Sequence, residues 1–427
     1  MVTRSDFNKY ILPVYNPAKF IPKKAKGSYV WDQNNNKYLD FASGIAVSNL
    51  GHCHPTLVKT LNAQSKNLWH LSNVLANEPA LKLAKLICNK TFAEKIFFTN
   101  SGAEAVEGAV KTARKYASTN FSNKKNEIVA FNDAFHGRTM MAIALNGSKR
   151  MTEGFGPMPG GIKQHPFNQV DGLKKIINKN TAAVVIELIQ GEAGIVPAKK
   201  VFINEIKKLC RKNNALIVID EVQSGVGRTG HLYAYEKYNI KPDILCSAKG
   251  MGNGIPIGAI LTTNKVAKAM QVGAHGSTYG GNPLACSVSY EVFKEVSKKS
   301  FLNSVIKKEK LFLSLLNDLN KKYNCFTAVR SAGLWIGLEL NSKIENLTLQ
   351  NIMSSAYDEG LMILKANNNT LRLAPALTIS EKEIKLGVKK LEKVFQDSSE
   401  ASKTSITLST FRYPCGNIKP RLALSER

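Results

Sequence analysis

The feature that most constrains the fold is an alternation of short, continuous apolar runs with amphipathic helical segments, between about residues 80 and 290. Continuous apolar runs are typical of parallel strands buried on both faces of a sheet, with helices connecting one strand to the next. In order, we expect helix 79–88, strand 95–99, helix 103–116, strands 127–131 and 182–186, helix 202–213, and strands 216–219 and 244–247. The pattern predicts an α/β fold, with a mostly parallel sheet flanked by helices and a ligand at the carboxyl ends of the strands.

Beyond about residue 300 the pattern changes to that of a smaller α+β domain. It predicts strands 326–329 and 334–340, a helix near 349–359, strand 371–373 and a final helix to about residue 396. We therefore divide the chain into an N-terminal segment 1–60 that packs near the ligand site and the small domain, a large domain 61–300, a small C-terminal domain 301–396, and a tail 397–427 of unknown order.

The composition narrows the class of protein. A net charge of +27 could indicate a nucleic-acid surface, but the lysines are spread along helical segments opposite apolar residues, which favours solvated helix faces. The seven cysteines contain no C-x-x-C pair, so neither a disulfide framework nor a zinc site is indicated. The N-terminal residues contain no apolar region, and no stretch approaches the length of a membrane span, so we expect neither a signal peptide nor a membrane-spanning helix. We expect a cytoplasmic protein that binds no nucleic acid, no membrane and no metal.

Two charged side chains follow strands of the predicted sheet. Asp220 directly follows the apolar run 216–219. Lys249 follows the apolar run 244–247 and opens a glycine-rich loop. A lysine that binds its cofactor covalently and an aspartate that keeps a pyridine nitrogen protonated form the recurring pattern of enzymes that use pyridoxal phosphate. Taken singly, each residue also has an ordinary interpretation, as a surface lysine and as a carboxylate that caps a turn. Together, at neighbouring strand ends, they indicate a pyridoxal phosphate site.

A phosphate site is indicated at the start of the helix predicted for residues 103–116. Ser101 and Gly102 precede this helix, whose first N–H groups and dipole attract anions, and Ala103 opens it. The alternative is a serine that only caps the helix. The loop 276–283 could likewise wrap an anion with the hydroxyl groups of Ser277 and Thr278, or merely turn a corner.

A third set of residues follows strand 127–131. Phe135 could stack on a flat cofactor ring, and Arg138 could bind a carboxylate with its guanidinium group. Without further context both are ordinary loop residues, and His136 alone is weak evidence for catalysis.

Two other motifs point to sites that we reject. Residues 225–230 fit G-x-G-x-x-G, but the preceding carboxylates of Asp220 and Glu221 would face a pyrophosphate, so we expect a structural loop. The motif Gly51-His-Cys-His-Pro55 has no second group of metal ligands at a suitable spacing, and its proline can open a helix. We expect a structural turn there.

In this order, the motifs resemble those of the class III (fold-type I) pyridoxal phosphate-dependent aminotransferases, most closely the acetylornithine and succinyldiaminopimelate aminotransferase group. The resemblance runs from about Val14 to Val394. The motifs that carry it are residues 30–32, 40–47, 51–55, 68–74, 77–81, 100–105, 134–138, 189–192, 220–230, 247–250, 275–285 and 371–377.

The resemblance implies roles for individual residues. Lys249 and Asp220 correspond to the catalytic lysine and to the partner of the pyridine nitrogen, and Gln223 to the neighbour of the ring hydroxyl group. Thr278 corresponds to a threonine that reaches the phosphate from the other subunit, which implies a homodimer with shared active sites. The phosphate-binding residues are Ser101, Gly102 and Ala103; the residue that stacks on the ring is Phe135; and the substrate-binding residues are Arg138, Arg372, Glu192, Ser277 and Tyr15.

The implied reaction moves the terminal amino group of N2-acetylornithine to 2-oxoglutarate, giving N-acetylglutamate 5-semialdehyde and glutamate in arginine biosynthesis. N-succinyl-diaminopimelate, of lysine biosynthesis, is a second candidate amino donor, and succinylornithine, ornithine and 4-aminobutyrate are alternatives. Leu188, Ala193 and Asn253 depart from the family's usual proline, glycine and glycine. Asn253 tolerates a positive φ, whereas Leu188 and Ala193 could shift Glu192 slightly.

Three other hypotheses remain open. A protein with this fold could bind the cofactor without turnover, although the presence of Lys249 and Asp220 argues against that. The positive charge could serve nucleic-acid binding, which leaves the ordered motifs unexplained. Within pyridoxal phosphate chemistry, a decarboxylase or an aminomutase is the nearer rival.

Overall fold

The computed structural model describes residues 2–344, 347–367 and 369–409, and for residues 397–409 only the course of the backbone. The N-terminal part forms an antiparallel β-meander with three helices. Its elements are α1 (Arg4–Tyr10), β1 (Pro22–Lys26), β2 (Tyr29–Asp32), β3 (Lys37–Asp40), α2 (Ser43–Ala46) and α3 (Pro55–Gln64).

The motif Gly51-His-Cys-His-Pro55 is a structural turn, as the sequence predicts. Pro55 is the first residue of α3, a position where the missing N–H costs nothing. His52 Nε2 lies 2.7 Å from Asp40 Oδ2, which ties the turn to the end of β3. Within the described residues, no group of three His, Cys, Asp or Glu side chains is arranged to hold a metal ion.

The central part of the chain builds the largest sheet. Its elements are α4 (Glu78–Lys90), β4 (Lys95–Thr99), α5 (Gly102–Asn120), β5 (Glu127–Phe131), α6 (Met140–Leu145), α7 (Lys149–Thr152), β6 (Ile162–His165), α8 (Leu173–Ile176), β7 (Thr181–Ile186), β8 (Ile189–Gln190), β9 (Val196–Pro197), α9 (Lys200–Asn213), β10 (Leu216–Asp220), α10 (Tyr235–Tyr238), β11 (Ile244–Ser247), β12 (Gly258–Thr262), α11 (Asn264–Ala267) and α12 (Pro283–Val296).

The strand order in this sheet is β4-β12-β11-β10-β7-β5-β6. Strands β11, β10, β7, β5 and β6 pair in parallel, and β12 is antiparallel to both of its neighbours. The predicted mostly parallel α/β sheet is therefore confirmed. The sequence interpretation missed β6, an edge strand whose polar residues interrupt the apolar run, and β12, which follows a loop rich in glycine that also contains Pro256.

The central strand β10 shows how the sheet is buried on both faces. Leu216 and Val218 pack with the apolar residues of α5 on one side. Ile217 and Ile219 pack with α9 on the other side. Because successive side chains of a strand point to opposite faces, the next residue, Asp220, continues the row that faces α5. This alternation directs the carboxylate towards the N-terminus of α5.

The C-terminal part is an α+β unit. Its elements are α13 (Lys299–Tyr323), β13 (Phe326–Ser331), β14 (Ile336–Leu340), α14 (Leu349–Asp358), β15 (Leu361–Met362), β16 (Leu364–Ala366), β17 (Thr370–Leu373) and α15 (Glu381–Ser409). The order β13-β14-β17-β16 forms an antiparallel sheet, and β15 pairs in parallel with β3 of the N-terminal segment.

The final helix is longer than the sequence interpretation gave. Helix α15 runs to Ser409, past residue 396, where we placed its end. Residues 410–427 of the predicted tail lie outside the described residues, and the division into domains stays a prediction. No helix in the described part of the chain is long and apolar enough to cross a membrane.

We expect Gly387→Ala in α15 to destabilise the fold. A Cβ atom at this position would lie 2.0 Å from Cζ of the buried Phe41, which directly follows β3. Alanine normally stabilises a helix relative to glycine by about 1 kcal/mol, but this overlap should outweigh that gain and cost about 1–3 kcal/mol. Urea denaturation would measure the free energy of unfolding.

The matched control is Gly160→Ala, because a Cβ atom at that position has no neighbour within 4 Å. Its free energy of unfolding should stay within about 0.5 kcal/mol of the wild type. Equal stabilities of the wild type and Gly387→Ala would contradict the packing of α15 on Phe41.

Candidate active site

A cavity of about 290 Å³ opens where the parallel strands end. The parallel strands that reach it contribute residues at or just beyond their carboxyl ends, as expected for a sheet of this type. The contributing segments follow β4, β5, β7, β10 and β11. The polar and aromatic residues that line the cavity are Asn100, Ser101, Phe135, His136, Glu187, Asp220, Gln223 and Lys249.

Asp220 and Lys249 face this cavity from neighbouring strands. Strands β10 and β11 pair in parallel, with Asp220 opposite Cys246. Lys249 follows Cys246 by three residues and has a φ of +45°, in the left-handed region that side chains other than glycine rarely adopt. Such strain persists only where the surrounding structure enforces it, and it is common at functional sites. The backbone turn places the lysine beside the carboxylate.

The Lys249 amine is less basic than a free lysine. Burial lowers its pKa to about 8, and the positive charge of Arg372 acts in the same direction. The carboxylates of Glu192, Asp220 and Glu187 oppose this shift. At neutral pH the amine is therefore unprotonated in about a tenth of the molecules, and the unprotonated amine is the form that acts as a nucleophile or a base.

Asp220 is held by His136. The side chains are almost fully buried, and His136 Nδ1 lies 2.7 Å from Asp220 Oδ2. Burial opposes protonation of the imidazole, but the hydrogen bond and charge of Asp220 outweigh it and raise the pKa of His136. Asp220 Oδ1 accepts a hydrogen bond from Val222 N at 3.0 Å. A carboxylate can accept further bonds, so Asp220 remains able to bind a proton donor in the cavity.

A second buried carboxylate lies beside this pair. Glu187 follows β7 and accepts a hydrogen bond from Phe135 N at 2.9 Å. Burial, together with the charge of Asp220, raises the pKa of Glu187 to about 7, although His136 opposes the shift. Phe135 is thus held at the cavity wall through its backbone.

The N-terminus of α5 forms another part of the cavity wall. Ser101 caps this helix, and its hydroxyl oxygen accepts a hydrogen bond from Glu104 N at 3.2 Å. A Cβ atom on Gly102 would lie 2.6 Å from Cγ1 of Val222, so only glycine fits here without a shift. The free N–H groups at the start of a helix of this length attract an anion such as phosphate.

An adjoining cavity of about 570 Å³ lies on the other side of Phe135 and contains Arg138 and Glu192. The Arg138 guanidinium group lies 5.5 Å from the centre of the Phe135 ring. Glu192 forms an ion pair with Arg372, whose Nη1 also donates to Gln223 Oε1 at 3.2 Å. Arg372 is buried on β17 of the C-terminal sheet, and Gln223 lines the main cavity. These contacts therefore connect the C-terminal sheet to the main cavity.

Three of the predicted residues lie apart from both cavities. Ser277 and Thr278 line a separate surface cavity of about 350 Å³, which is linked to the main one by Asn100. Asn100 Nδ2 donates to Ser277 Oγ at 3.2 Å. Tyr15 is 74% exposed and lies between α1 and β1. Within one chain, the structure does not bring these residues to Lys249.

The departures from the family pattern fit the local structure. Asn253 has a φ of +49°, as expected for a position where glycine is usual, and its Oδ1 accepts a hydrogen bond from Leu50 N at 2.6 Å. Leu188 is fully buried in the core beside α9. The carbonyl oxygen of Ala193 accepts a hydrogen bond from Asn367 Nδ2 at 2.6 Å, which ties the Glu192 loop to the C-terminal sheet.

Comparison with known proteins identifies the family. Residues 11–395 match the model of the family described as aminotransferase class-III. The chain belongs to the class III aminotransferases. It is 51% identical to an acetylornithine/succinyldiaminopimelate aminotransferase of Buchnera aphidicola subsp. Schizaphis graminum, over 91% of this chain and 96% of the relative. It is 46% identical to a succinylornithine transaminase of Photorhabdus laumondii subsp. laumondii, over 92% and 97%.

A solved structure of the ornithine aminotransferase of Toxoplasma gondii has the same fold. The TM-score is 0.88 at 28% identity, covering 94% of this chain and 95% of that one. That structure reports partial occupancy of pyridoxal phosphate at its active site. The aminotransferase described here therefore has the fold-type I architecture that the sequence predicts.

Sequence reasoning undervalued two residues of this aminotransferase. In the sequence His136 alone is weak evidence for catalysis, whereas in the structure it contacts Asp220 directly. Glu187 was not proposed, although it directly follows the predicted strand 182–186, as Asp220 follows its own strand. A carboxylate just beyond a buried strand was the available signal. The sequence could not show that both side chains converge on the same buried site.

We expect His136→Phe to destabilise this aminotransferase by about 3–5 kcal/mol, because it leaves the buried Asp220 carboxylate without its partner. His136→Asn, whose amide can still donate near the Nδ1 position, should lose less. Because folding raises the pKa of His136, its contribution is full below about pH 6.5 and is lost as pH rises through the folded-state value. Urea denaturation across pH 5–9 would measure these differences.

The control is His165→Asn, because His165 Nε2 contacts the carbonyl oxygen of Gln169 at 3.0 Å and not a carboxylate. At pH 6, His165→Asn should cost less stability than His136→Phe, because it leaves no buried carboxylate without a partner. A His136→Phe variant as stable as the wild type at pH 6 would refute the proposed ion pair.

Proposed function

We propose that this aminotransferase uses pyridoxal phosphate to move the terminal amino group of N2-acetylornithine to 2-oxoglutarate, giving N-acetylglutamate 5-semialdehyde and glutamate. N-succinyl-diaminopimelate is the second proposed amino donor, so that the enzyme would serve arginine and lysine biosynthesis. The observation that carries the proposal is the convergence of Lys249 and Asp220 on one cavity from neighbouring parallel strands. The names of the relatives support the choice of amino donor.

The cavity fits pyridoxal phosphate. Its volume of about 290 Å³ suits a single substituted ring. Ser101, Gly102 and Ala103 would bind the phosphate at the N-terminus of α5, and Val222 leaves no space for a side chain at Gly102. Phe135 would pack against the ring. When bound, the cofactor supplies an electron sink that stabilises negative charge at the reacting carbon of the amino donor.

Lys249 would bind the cofactor through Nζ and then act on the proton of the amino donor. Its pKa of about 8 lets Nζ accept a proton from the carbon that carries the reacting amine and release it in a later step, to a position other than that carbon. Asp220, which His136 holds in the cavity, would favour the protonated form of the pyridine nitrogen. Gln223, three residues after Asp220, would contact the ring hydroxyl group.

The two arginines would bind substrate carboxylates. Arg138 would bind the α-carboxylate of the amino donor in the cavity beyond Phe135. Arg372 is held by Glu192 and would bind a carboxylate of 2-oxoglutarate once Glu192 moves aside. Glu192 is 28% exposed whereas Arg372 is 3% exposed, so the glutamate is the partner with room to move. Ser277 and Tyr15 are further proposed substrate contacts.

A homodimer with shared active sites would bring Thr278 to the phosphate of the other subunit. Asn73 donates hydrogen bonds to the carbonyl oxygens of Ser277 and Gly280 at 2.8 Å and 3.0 Å, so the segment 69–75 and the Thr278 loop form one surface. This surface exposes several large apolar side chains, which favours burial against a second copy. They are Trp69, Val74, Leu75 and Tyr279.

A cytoplasmic location is part of the proposal. The cysteines of the described residues are all unpaired, and most of them are buried. Free thiols are the rule in a reducing compartment.

We expect borohydride reduction of the enzyme with pyridoxal phosphate to fix the cofactor to Lys249, with the label found by peptide mass mapping. Lys249→Ala should lose both the label and turnover. Lys125 is the matched control, because burial lowers its pKa too, yet its Nζ donates to the carbonyl oxygens of Lys179 and Asn213, away from the cavity. A label on another lysine, or none, would end the proposal for Lys249.

Steady-state kinetics with a panel of amino donors would test the substrate. The value of kcat/KM for N2-acetylornithine should exceed those for ornithine and 4-aminobutyrate by at least about tenfold, because they lack the acyl group that the pocket binds. Product analysis would identify the amino group transferred and would exclude a decarboxylase or an aminomutase. No preference for acylated ornithine would overturn the assignment of the amino donor.

Mixed dimers of Lys249→Ala and Thr278→Ala subunits would test the shared site. If Thr278 serves the other subunit, one site of the mixed dimer carries both changes and the other site is intact. At a pyridoxal phosphate concentration that saturates the wild type but not Thr278→Ala, such dimers should keep about half of the wild-type activity. Activity no higher than half that of Thr278→Ala would place Thr278 in its own subunit's site.

A further inference from the structure

The cavity beyond Phe135 holds more positive charge than one α-carboxylate requires. Arg138, Arg150 and Lys365 all line it, and among the described residues none of the three has an ion-pair partner. Its carboxylates are Asp133 and Glu192, and Glu192 is already paired with Arg372. The cations therefore exceed the unpaired carboxylates. An anionic ligand would balance the charge.

We infer that Arg150 and Lys365 form a second carboxylate site, which favours amino donors whose acyl group ends in a carboxylate, as in N-succinylornithine and N-succinyl-diaminopimelate, over N-acetylated ones. The inference rests on the proposed function, in which Arg138 binds the α-carboxylate. The acyl nitrogen is attached to the same carbon as that carboxylate. The acyl group therefore begins beside Arg138, in the cavity that Arg150 and Lys365 share with it.

The elements that carry the two cations are anchored to the site. Arg150 lies on α7, next to Met151, whose Sδ accepts a hydrogen bond from Asn146 Nδ2 at 3.2 Å. Asn146 Oδ1 accepts a hydrogen bond from His136 N at 2.7 Å. Helix α7 is therefore connected through one asparagine to the residue that holds Asp220, which fixes Arg150 relative to the main cavity.

The Lys365 side of the cavity is anchored from the C-terminal sheet. Lys365 lies on β16, which pairs with the strand β17 that carries Arg372. Asn367, two residues further on, donates to the Ala193 carbonyl oxygen at 2.6 Å, and Arg330 Nε donates to the Gly194 carbonyl oxygen at 2.9 Å. Two residues of the C-terminal part thus hold the loop that contains Glu192.

The two classes of amino donor differ in the group that would meet these cations. An acetyl group ends in a methyl group, whereas a succinyl group adds a carboxylate. Arg150 and Lys365 are exposed, so each ion pair should change affinity only severalfold and should weaken as salt is added. The effect should appear mainly in KM, because the acyl group lies away from the reacting carbon and is bound equally throughout the reaction.

The test is the ratio of kcat/KM for N-succinylornithine to that for N-acetylornithine, measured on the enzyme loaded with pyridoxal phosphate. Arg150→Gln and Lys365→Gln should each lower this ratio about threefold to fivefold through KM, and the double variant about tenfold or more. The matched control is Lys149→Gln, an exposed neighbour of Arg150 on α7 that does not line the cavity. It should leave the ratio unchanged.

Equilibrium binding would give the same answer without turnover. N-succinylnorvaline and N-acetylnorvaline carry the α-carboxylate and the acyl group but lack the reacting amine, so calorimetry can compare their dissociation constants. The wild type should bind the succinyl compound more tightly at low salt, and both substitutions should remove most of that preference. Equal affinities in the wild type, or a preference that survives the double variant, would overturn the second carboxylate site.

The two arms distinguish the failure of this inference from that of the proposed function. Turnover of neither acylated ornithine would refute the proposed function, and the binding arm would then decide on the second site by itself. Turnover of both with a ratio that the substitutions do not change would refute the second site and leave the proposed function standing.

Discussion

The site depends on the parallel pairing of β10 with β11, since this register sets Asp220 beside the turn that carries Lys249. Alternation along β10 buries Ile217 and Ile219 against α9 and directs Asp220 to the α5 side. A slip of one residue would turn the carboxylate away from α5 and towards the α9 side. The buried core on both faces therefore fixes the relative positions of the amine, the carboxylate and the anion-binding helix.

The residues just after Asp220 connect the large sheet to the rest of the molecule. Glu221 is fully buried and accepts hydrogen bonds from Ala234 N and Tyr235 N at 2.6 Å and 2.7 Å, and burial raises its pKa to about 7.

Arg228 donates to Asn49 and to the carbonyl oxygens of Leu334 and Pro375, and burial lowers its pKa to about 9. Residues 225–230, which fit the G-x-G-x-x-G pattern, therefore connect the N-terminal, central and C-terminal parts of the molecule.

The elements that the sequence predicted correctly are those marked by a local pattern of apolar residues. Apolar runs located β10 and β11, and the position of Asp220 and Lys249 just beyond them followed from the rule that parallel strands end at one edge. The sequence interpretation missed β6 and β12 because an edge strand and a strand after a glycine-rich loop lack a continuous apolar run. It also undervalued His136, whose importance comes from a buried contact with Asp220 across 84 positions of the chain. No local pattern encodes such a contact.

The residues proposed to select the amino donor are under different structural constraints from those proposed to act on the reacting carbon. The groups proposed to act on the reacting carbon follow buried strands, where packing on both faces leaves little freedom, so their identity can be read from strand ends. The cavity beyond Phe135 is built from α7, the Glu192 loop and the edge strand β16, which are far apart in the sequence. Exposed residues such as Arg150 and Lys365 can change there at little cost to stability. Relatives that share the strand-end residues can therefore differ in amino donor, and the charge in this outer cavity is where we expect that difference to arise.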